Sequence, residues 1–157
     1  MAETPQPEWW FYHLSRTTLE QAAAPLMQKC LEAGWRVLAV SPSADRRAAL
    51  DAVLWTFDDR SFLPHGQAEA PGLDPARQPV LLTGKLDNQN KAEALVLMDG
   101  VEAPVDAPFT RCMVMFDDGD TDTRSLARQQ FKAAKDAGLV TRYFQQTPSG
   151  GWQEAGK

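Results

Sequence analysis

The chain has 157 residues, of which 43% are hydrophobic and 24% charged, and its formal net charge is −5. These values fit one compact domain over 1–157 and disfavour general affinity for nucleic acid, which would require a local basic patch. No apolar run approaches the roughly 18 residues of a membrane span, and the acidic, proline-containing start is unlike a signal peptide. We therefore expect a cytoplasmic protein.

The chain begins with a predicted strand and a predicted helix. The aromatic stretch 8–15 is typical of a strand. Thr17 and Glu20 have the spacing of a capping box and predict the start of a helix. Apolar residues then recur at helical spacing up to Gly34, which is suited to a C-cap, and Pro25 predicts a kink or a restart.

A second strand and helix follow the first pair. The nearly continuous apolar run 35–41 is typical of a strand covered on both faces. Ser43 can cap a helix that runs to about Trp55. Strands and helices in alternation indicate a right-handed α/β sheet.

The second half of the chain predicts four more strands and one long helix. The segment 66–79 contains turn residues without periodicity and predicts a surface loop, and 150–157 predicts a flexible tail. The other predicted elements are strands at 80–84, 94–98, 111–116 and 139–146 and a helix at 122–138.

Together these elements predict a single-domain α/β fold. We expect a largely parallel or mixed sheet with helices on both faces, similar in topology to nucleotide-binding folds. The sequence nevertheless contains no G-x-G-x-x-G, no G-x-x-x-x-G-K-[ST] and no G-x-S-x-G motif. A nucleotide- or phosphosugar-using enzyme with its ligand at the strand C-termini is the alternative.

Few residues suit catalysis or metal binding. His13 and His65 are the only histidines, which is too few for an ordinary zinc site. His13 lies in an apolar strand and predicts a hydrogen-bonded structural residue. Cys30 and Cys112 are far apart and predict buried free thiols. We expect no catalytic residue, no metal and no cofactor.

One acidic segment has part of the spacing of a calcium loop. Asp118, Asp120 and Asp122 alternate as calcium ligands do, but Thr123 stands where glycine is required and Gln129 where the bidentate glutamate belongs. Acidic residues at this position instead favour an N-cap and oppose the positive end of the helix dipole.

The helix at 122–138 has two distinct predicted faces when its residues are placed at about 100° intervals. The predicted core face holds Leu126, Gln130, Ala133, Ala134 and Ala137. The opposite sector holds Arg124, Arg128, Lys132 and Lys135, with Phe131 among them. Such a face can be simply solvated. On an acidic protein it also suits an acidic peptide with an aromatic or apolar anchor, and nucleic acid second.

The helix that precedes the second aromatic cluster leaves one tryptophan outside its core face. The predicted core face holds Leu50, Val53, Leu54 and Phe57, whereas Trp55 points away, beside Ala48 and Ala52. Either the following "SFLPHG" turn covers Trp55 or a partner does. Aromatic residues beside a proline-containing loop are frequent anchors of protein interfaces.

These segments together resemble the chi subunit family of bacterial DNA polymerase III. The resemblance covers the aromatic first strand, the helix ending at Gly34, "GWRVLAV", "LDAVLWTFDDRSFLPHG" and "SLARQQFKAAKDAG" with the strand after it. It implies a non-catalytic α/β adaptor in the clamp-loader assembly.

The resemblance also implies two binding surfaces. One would take the acidic, phenylalanine-ended tail of single-stranded DNA-binding protein, and the other the psi subunit or a related helicase. The implied tail-binding residues are Arg124, Arg128, Phe131, Lys132 and Lys135. The implied psi or helicase residues are Trp55, Phe62, Pro64 and His65. Contact with DNA would be indirect, and direct binding of single-stranded DNA by the basic helix is a further alternative.

Overall fold

The computed structural model describes residues 6–56, 65–68 and 70–155. In this part of the chain, eight strands form one sheet in the order β3-β4-β2-β5-β6-β1-β7-β8. The strands are β1 (Glu8–Leu14), β2 (Val37–Val40), β3 (His65–Gln67), β4 (Val80–Thr83), β5 (Ala94–Leu97), β6 (Arg111–Asp117), β7 (Thr141–Gln146) and β8 (Trp152–Glu154).

The sheet is parallel except at one edge. All neighbouring pairs from β3 to β7 run parallel, and β8 pairs antiparallel with β7. The central strands β2, β4 and β5 are buried along their whole length, as the apolar run 35–41 predicted for β2. The expected α/β fold with a mostly parallel, mixed sheet is confirmed.

In the described residues, three α-helices flank the sheet. They are α1 (Leu19–Glu32), α2 (Ala44–Thr56) and α3 (Thr121–Asp136). The α1 cap lies one residue later than predicted, because Thr18 accepts from the Gln21 backbone while the Gln21 side chain accepts from the Thr18 backbone. The helix continues through Pro25 without a restart. Asp120 caps α3 by accepting from the Thr123 backbone, so an acidic N-cap is confirmed.

Two apolar clusters place helices on opposite faces of the sheet. Alternate β1 residues separate between them, since Tyr12 and Leu14 pack in the cluster with α1 and α2 whereas Trp9 and Phe11 pack in the cluster with α3. This alternation is the usual consequence of strand geometry. Cys30 lies in the first cluster and both cysteines are buried free thiols, as predicted.

Two segments of the second half contain parts of short strands that the sequence did not predict. The segment expected to be a flexible tail, 150–157, contains β8, whose Trp152 packs against the α1 side of the core. The segment expected to be a loop, 66–79, contains the end of β3 and a short 3₁₀ helix at Pro75–Arg77. Both strands are only three residues long, which is too short for sequence periodicity to reveal.

Candidate protein-binding surfaces

The buried side of α3 differs from the predicted one. Ala127, Gln130 and Ala134 are buried, whereas Ala133 and Ala137 are exposed. The helix is thus turned by about 60° relative to the prediction, toward Phe131. Burying part of a phenyl ring removes more apolar area from water than burying an alanine, which explains the difference.

Phe131 is half-buried at the boundary between the core and the surface. Its ring packs edge-on against Phe11 of β1, with ring centroids 5.3 Å apart, and against Tyr143 of β7 at 6.0 Å. Lys135 Nζ lies 5.4 Å from the centre of the same ring, within the range of a cation–π contact. One edge of the Phe131 ring therefore packs α3 against the sheet, and the rest of the ring lies beside the basic side chains of the helix.

We call Arg124, Arg128, Lys132 and Lys135 the basic stripe. All are exposed except Arg124, which is half-buried. Arg124 Nη1 lies 3.5 Å from Asp118 Oδ1, so its charge is partly compensated. Among the described residues, Arg128 and Lys132 make no ion pair. The stripe thus presents uncompensated positive charge on an acidic protein.

A hydrogen-bonded chain of side chains ends at the stripe. His13 Nε2 donates to Asp118 Oδ1 at 2.7 Å, and Tyr143 Oη lies 2.9 Å from His13 Nδ1. A carboxylate can only accept, so in the neutral ring Nε2 carries the proton and Nδ1 accepts from the tyrosine. The His13 contact, followed by Arg124, lowers the pKa of Asp118. The expectation of a hydrogen-bonded His13 is confirmed.

Tyr143 is a member of this site that the sequence did not reveal. Burial raises the pKa of its hydroxyl, and the positive charges of Arg128 and Arg124 oppose that rise. The alternation of β7 could have identified it, because Tyr143 and Phe144 pack on opposite faces of the sheet.

The second predicted surface is centred on Trp55 of α2. Trp55 is 57% exposed, while Leu50 and Leu54 are fully buried, so the predicted faces of α2 are confirmed for these residues. The His65 side chain is buried, with its ring 5.3 Å from that of Trp55 and Nε2 3.0 Å from Asp51 Oδ1. The buried His65 ring therefore packs against the Trp55 indole from the side of the core. Phe57, Phe62 and Pro64 lie outside the described residues.

The crevice at the C-terminal ends of β2 and β5, where the alternative enzyme would hold its ligand, contains an internal ion cluster. Arg46 bonds to Asp99 through Nε at 3.1 Å and to Glu20 through Nη1 at 2.6 Å. Ser41 donates to the same Asp99 carboxylate at 2.6 Å. Two carboxylates surround one guanidinium here, which is an unfavourable setting for a phosphate.

Within residues 6–56, 65–68 and 70–155, no three His, Cys, Asp or Glu side chains come together as a metal site requires. Within the same ranges, no helix is long and apolar enough to cross a bilayer.

Comparison with known proteins agrees with the resemblance drawn from the sequence. The family model of the DNA polymerase III chi subunit, HolC, matches residues 7–142. A probable DNA polymerase III subunit chi of Rickettsia prowazekii (strain Madrid E) is 31% identical over 87 residues, which cover 55% of this chain and 52% of that protein. The chain thus spans about half the length of this curated relative. Since the family model covers most of the chain, the chain belongs to the DNA polymerase III chi subunit family.

Proposed function

We propose that this protein is a non-catalytic accessory subunit of the bacterial clamp-loader assembly. In this proposal, the basic stripe and Phe131 bind the acidic C-terminal tail of single-stranded DNA-binding protein and so tether the polymerase to coated DNA. The observation that carries the proposal is the exposed positive charge of Arg128 and Lys132, which no described acidic residue pairs, beside a half-buried aromatic ring. Family membership supports it.

The dimensions of the stripe suit a short extended peptide. Arg124 and Lys135 are eleven residues apart on one helix, which corresponds to roughly 16 Å along the axis. An extended peptide covers that distance with about five residues. Carboxylates of the tail would pair with the guanidinium and ammonium groups, and its terminal ring would contact the exposed part of Phe131.

A peptide titration tests this proposal. A fluorescein-labelled acidic peptide ending in phenylalanine should bind with a dissociation constant of micromolar order, near −8 kcal/mol, and more weakly as salt rises. Arg128→Ala should weaken binding severalfold, up to about fivefold, since exposed charge pairs contribute up to about 1 kcal/mol. Arg124→Ala should have a smaller effect, because Asp118 already compensates Arg124.

The matched control is Arg77→Ala, which removes an arginine from the remote 3₁₀ helix. This variant should bind the peptide as the parent protein does. Equal affinities of the parent and Arg128→Ala proteins would refute the proposed site.

We further propose that Trp55 contacts the psi subunit or a related helicase. The exposed indole and its buried His65 support are the basis for this assignment. Trp55→Ala should abolish capture of purified psi and leave tail binding unchanged. Arg128→Ala should weaken tail binding and leave capture of psi unchanged. Loss of both activities in either variant would contradict two independent surfaces.

Two simple assays separate this function from the alternatives. In a thermal-shift screen, stabilisation by ATP or NAD without stabilisation by the tail peptide would favour the enzyme. In a gel-shift assay, the isolated protein should not retain single-stranded DNA. Stacking of successive bases needs several exposed aromatic rings, whereas Phe131 is the one aromatic residue in the sequence of α3.

A further inference from the structure

A third site lies on the sheet face opposite to α3. It is a cavity of about 460 Å³ between the end of α1 and strands β1, β6, β7 and β8, within the size range of small-molecule pockets. Aromatic side chains form most of its wall, namely Trp10, Tyr12, Trp35, Phe144 and Trp152. None of its lining residues belongs to the basic stripe or to the Trp55 surface.

The cavity contains an arginine that lies close to two indole rings. Arg111 Cζ lies 3.6 Å from the ring centre of Trp10 and 4.9 Å from that of Trp35. Arg111 Nε is buried and has no hydrogen-bond acceptor among the described residues, which is costly for a charged group. Within the described residues, Arg111 makes no ion pair.

The charge around the cavity is also unbalanced. Arg142 stacks on Trp10 as well, but its guanidinium is paired with Glu154 at 2.8 Å. Glu8 accepts a hydrogen bond from the Trp10 indole at 3.0 Å. Lys29 lines the same cavity, is exposed, and makes no ion pair among the described residues. The site therefore has positive charge available for an anion.

Tyr12 adds a hydrogen-bond donor to the same wall. Its hydroxyl forms no hydrogen bond within the described part of the chain, and burial raises its pKa, so it stays protonated. Burial likewise raises the pKa of the Cys30 thiol to about 11, which makes that side chain a weak nucleophile in the cavity.

We propose that this cavity binds a small aromatic carboxylate, with its ring among the aromatic side chains that line the cavity and its carboxylate on the guanidinium group of Arg111. Flat aromatic walls favour an aromatic ring, and a guanidinium edge favours a carboxylate through paired hydrogen bonds. This site is independent of the proposed tail-binding function, since no residue is shared.

The five tryptophans of the chain provide a direct assay. Titration with indole-3-acetate should shift the indole N–H signals of Trp10, Trp35 and Trp152 in ¹H–¹⁵N NMR spectra. The signals of Trp9, on the other sheet face, and Trp55 should not move. Saturation should give a dissociation constant of about 1 mM or tighter, as expected for a ligand of about a dozen heavy atoms.

Two comparisons test the role of charge. The neutral analogue indole-3-acetamide should bind about tenfold more weakly, and Arg111→Gln should weaken indole-3-acetate by about the same factor. Arg77→Gln, which removes a remote exposed arginine, should leave binding unchanged. If Arg111→Gln fails to fold, Arg111→Lys and the amide titration still decide, because lysine keeps the charge but loses the paired geometry.

Three results would overturn the proposal. They are no saturable shift at about 10 mM ligand, equal affinity of acid and amide, and shifts concentrated on Trp9 or Trp55. Because the acidic-peptide titration reads a different surface, it would be unaffected by any of them.

Discussion

The Arg46 cluster allows a quantitative test of how the C-terminal end of the sheet is stabilised. Arg46 joins the starts of α1 and α2 to the end of β5 through Glu20 and Asp99. Hydrogen bonds to charged groups contribute about 1.5–3 kcal/mol each, but these are not additive. The side chains of Arg46, Asp99 and Glu20 are 27%, 22% and 16% exposed, so solvent screens them in part. Arg46→Met should therefore lower the free energy of unfolding by about 2–3 kcal/mol.

Urea denaturation followed by circular dichroism measures this loss. The melting temperature should fall by about 5–10 °C for a domain of this size. A double-mutant cycle with Asp99→Asn should give a coupling energy of about 1 kcal/mol or more. Destabilisation below about 0.5 kcal/mol with no coupling would show that the cluster is only a surface ion pair and would refute the reasoning.

Three further predictions concern single groups. The Asp118 carboxyl should titrate below its ordinary pKa of 3.8 in NMR spectra, and its pKa should return toward 3.8 in the His13→Gln variant. Because folding lowers this pKa, the Asp118 carboxylate stabilises the fold above pH 3.8, and that stabilisation is lost as the pH falls through the lowered pKa of the folded state. Cys30 and Cys112, whose pKa values burial raises to about 11 and about 12, should not react with a disulfide reagent at neutral pH until the protein is denatured, and rapid reaction of the native protein would contradict their burial. Leu50→Ala should cost about 2–5 kcal/mol in denaturant titrations, since Leu50 is fully buried, and a loss under about 1 kcal/mol would be inconsistent with that packing.

Long elements with strong periodicity were predictable from the sequence. The apolar run of β2 identified a strand covered on both faces, β4 and β5 were identified as strands, and the helix with Asp120 at its cap was located within two residues at each end. The α1 cap was shifted by one residue, because "TTLEQ" offers two overlapping capping boxes. Only the geometry shows that Thr18 and Gln21 form the pair.

Features that depend on tertiary contacts were not predictable. Helical periodicity assigned Ala133 to the core, but packing of Phe131 against Phe11 and Tyr143 turns α3 away from that arrangement. Partial compensation of Arg124 by Asp118 likewise depends on how the loop after β6 approaches the helix. The aromatic cavity combines residues from distant segments of the chain, so no local sequence pattern predicts it.

The placement of α2 and α3 on opposite sides of one sheet has a mechanical consequence. Ligands held at Trp55 and at the basic stripe would be separated by the full thickness of the core, so neither could sterically exclude the other. Simultaneous engagement would join the two contacts through a stiff spacer, and the combined avidity would exceed either affinity alone. Binding of both ligands at once would need no conformational change in this protein. The assembly would dissociate in steps, because either ligand could leave while the other stays bound.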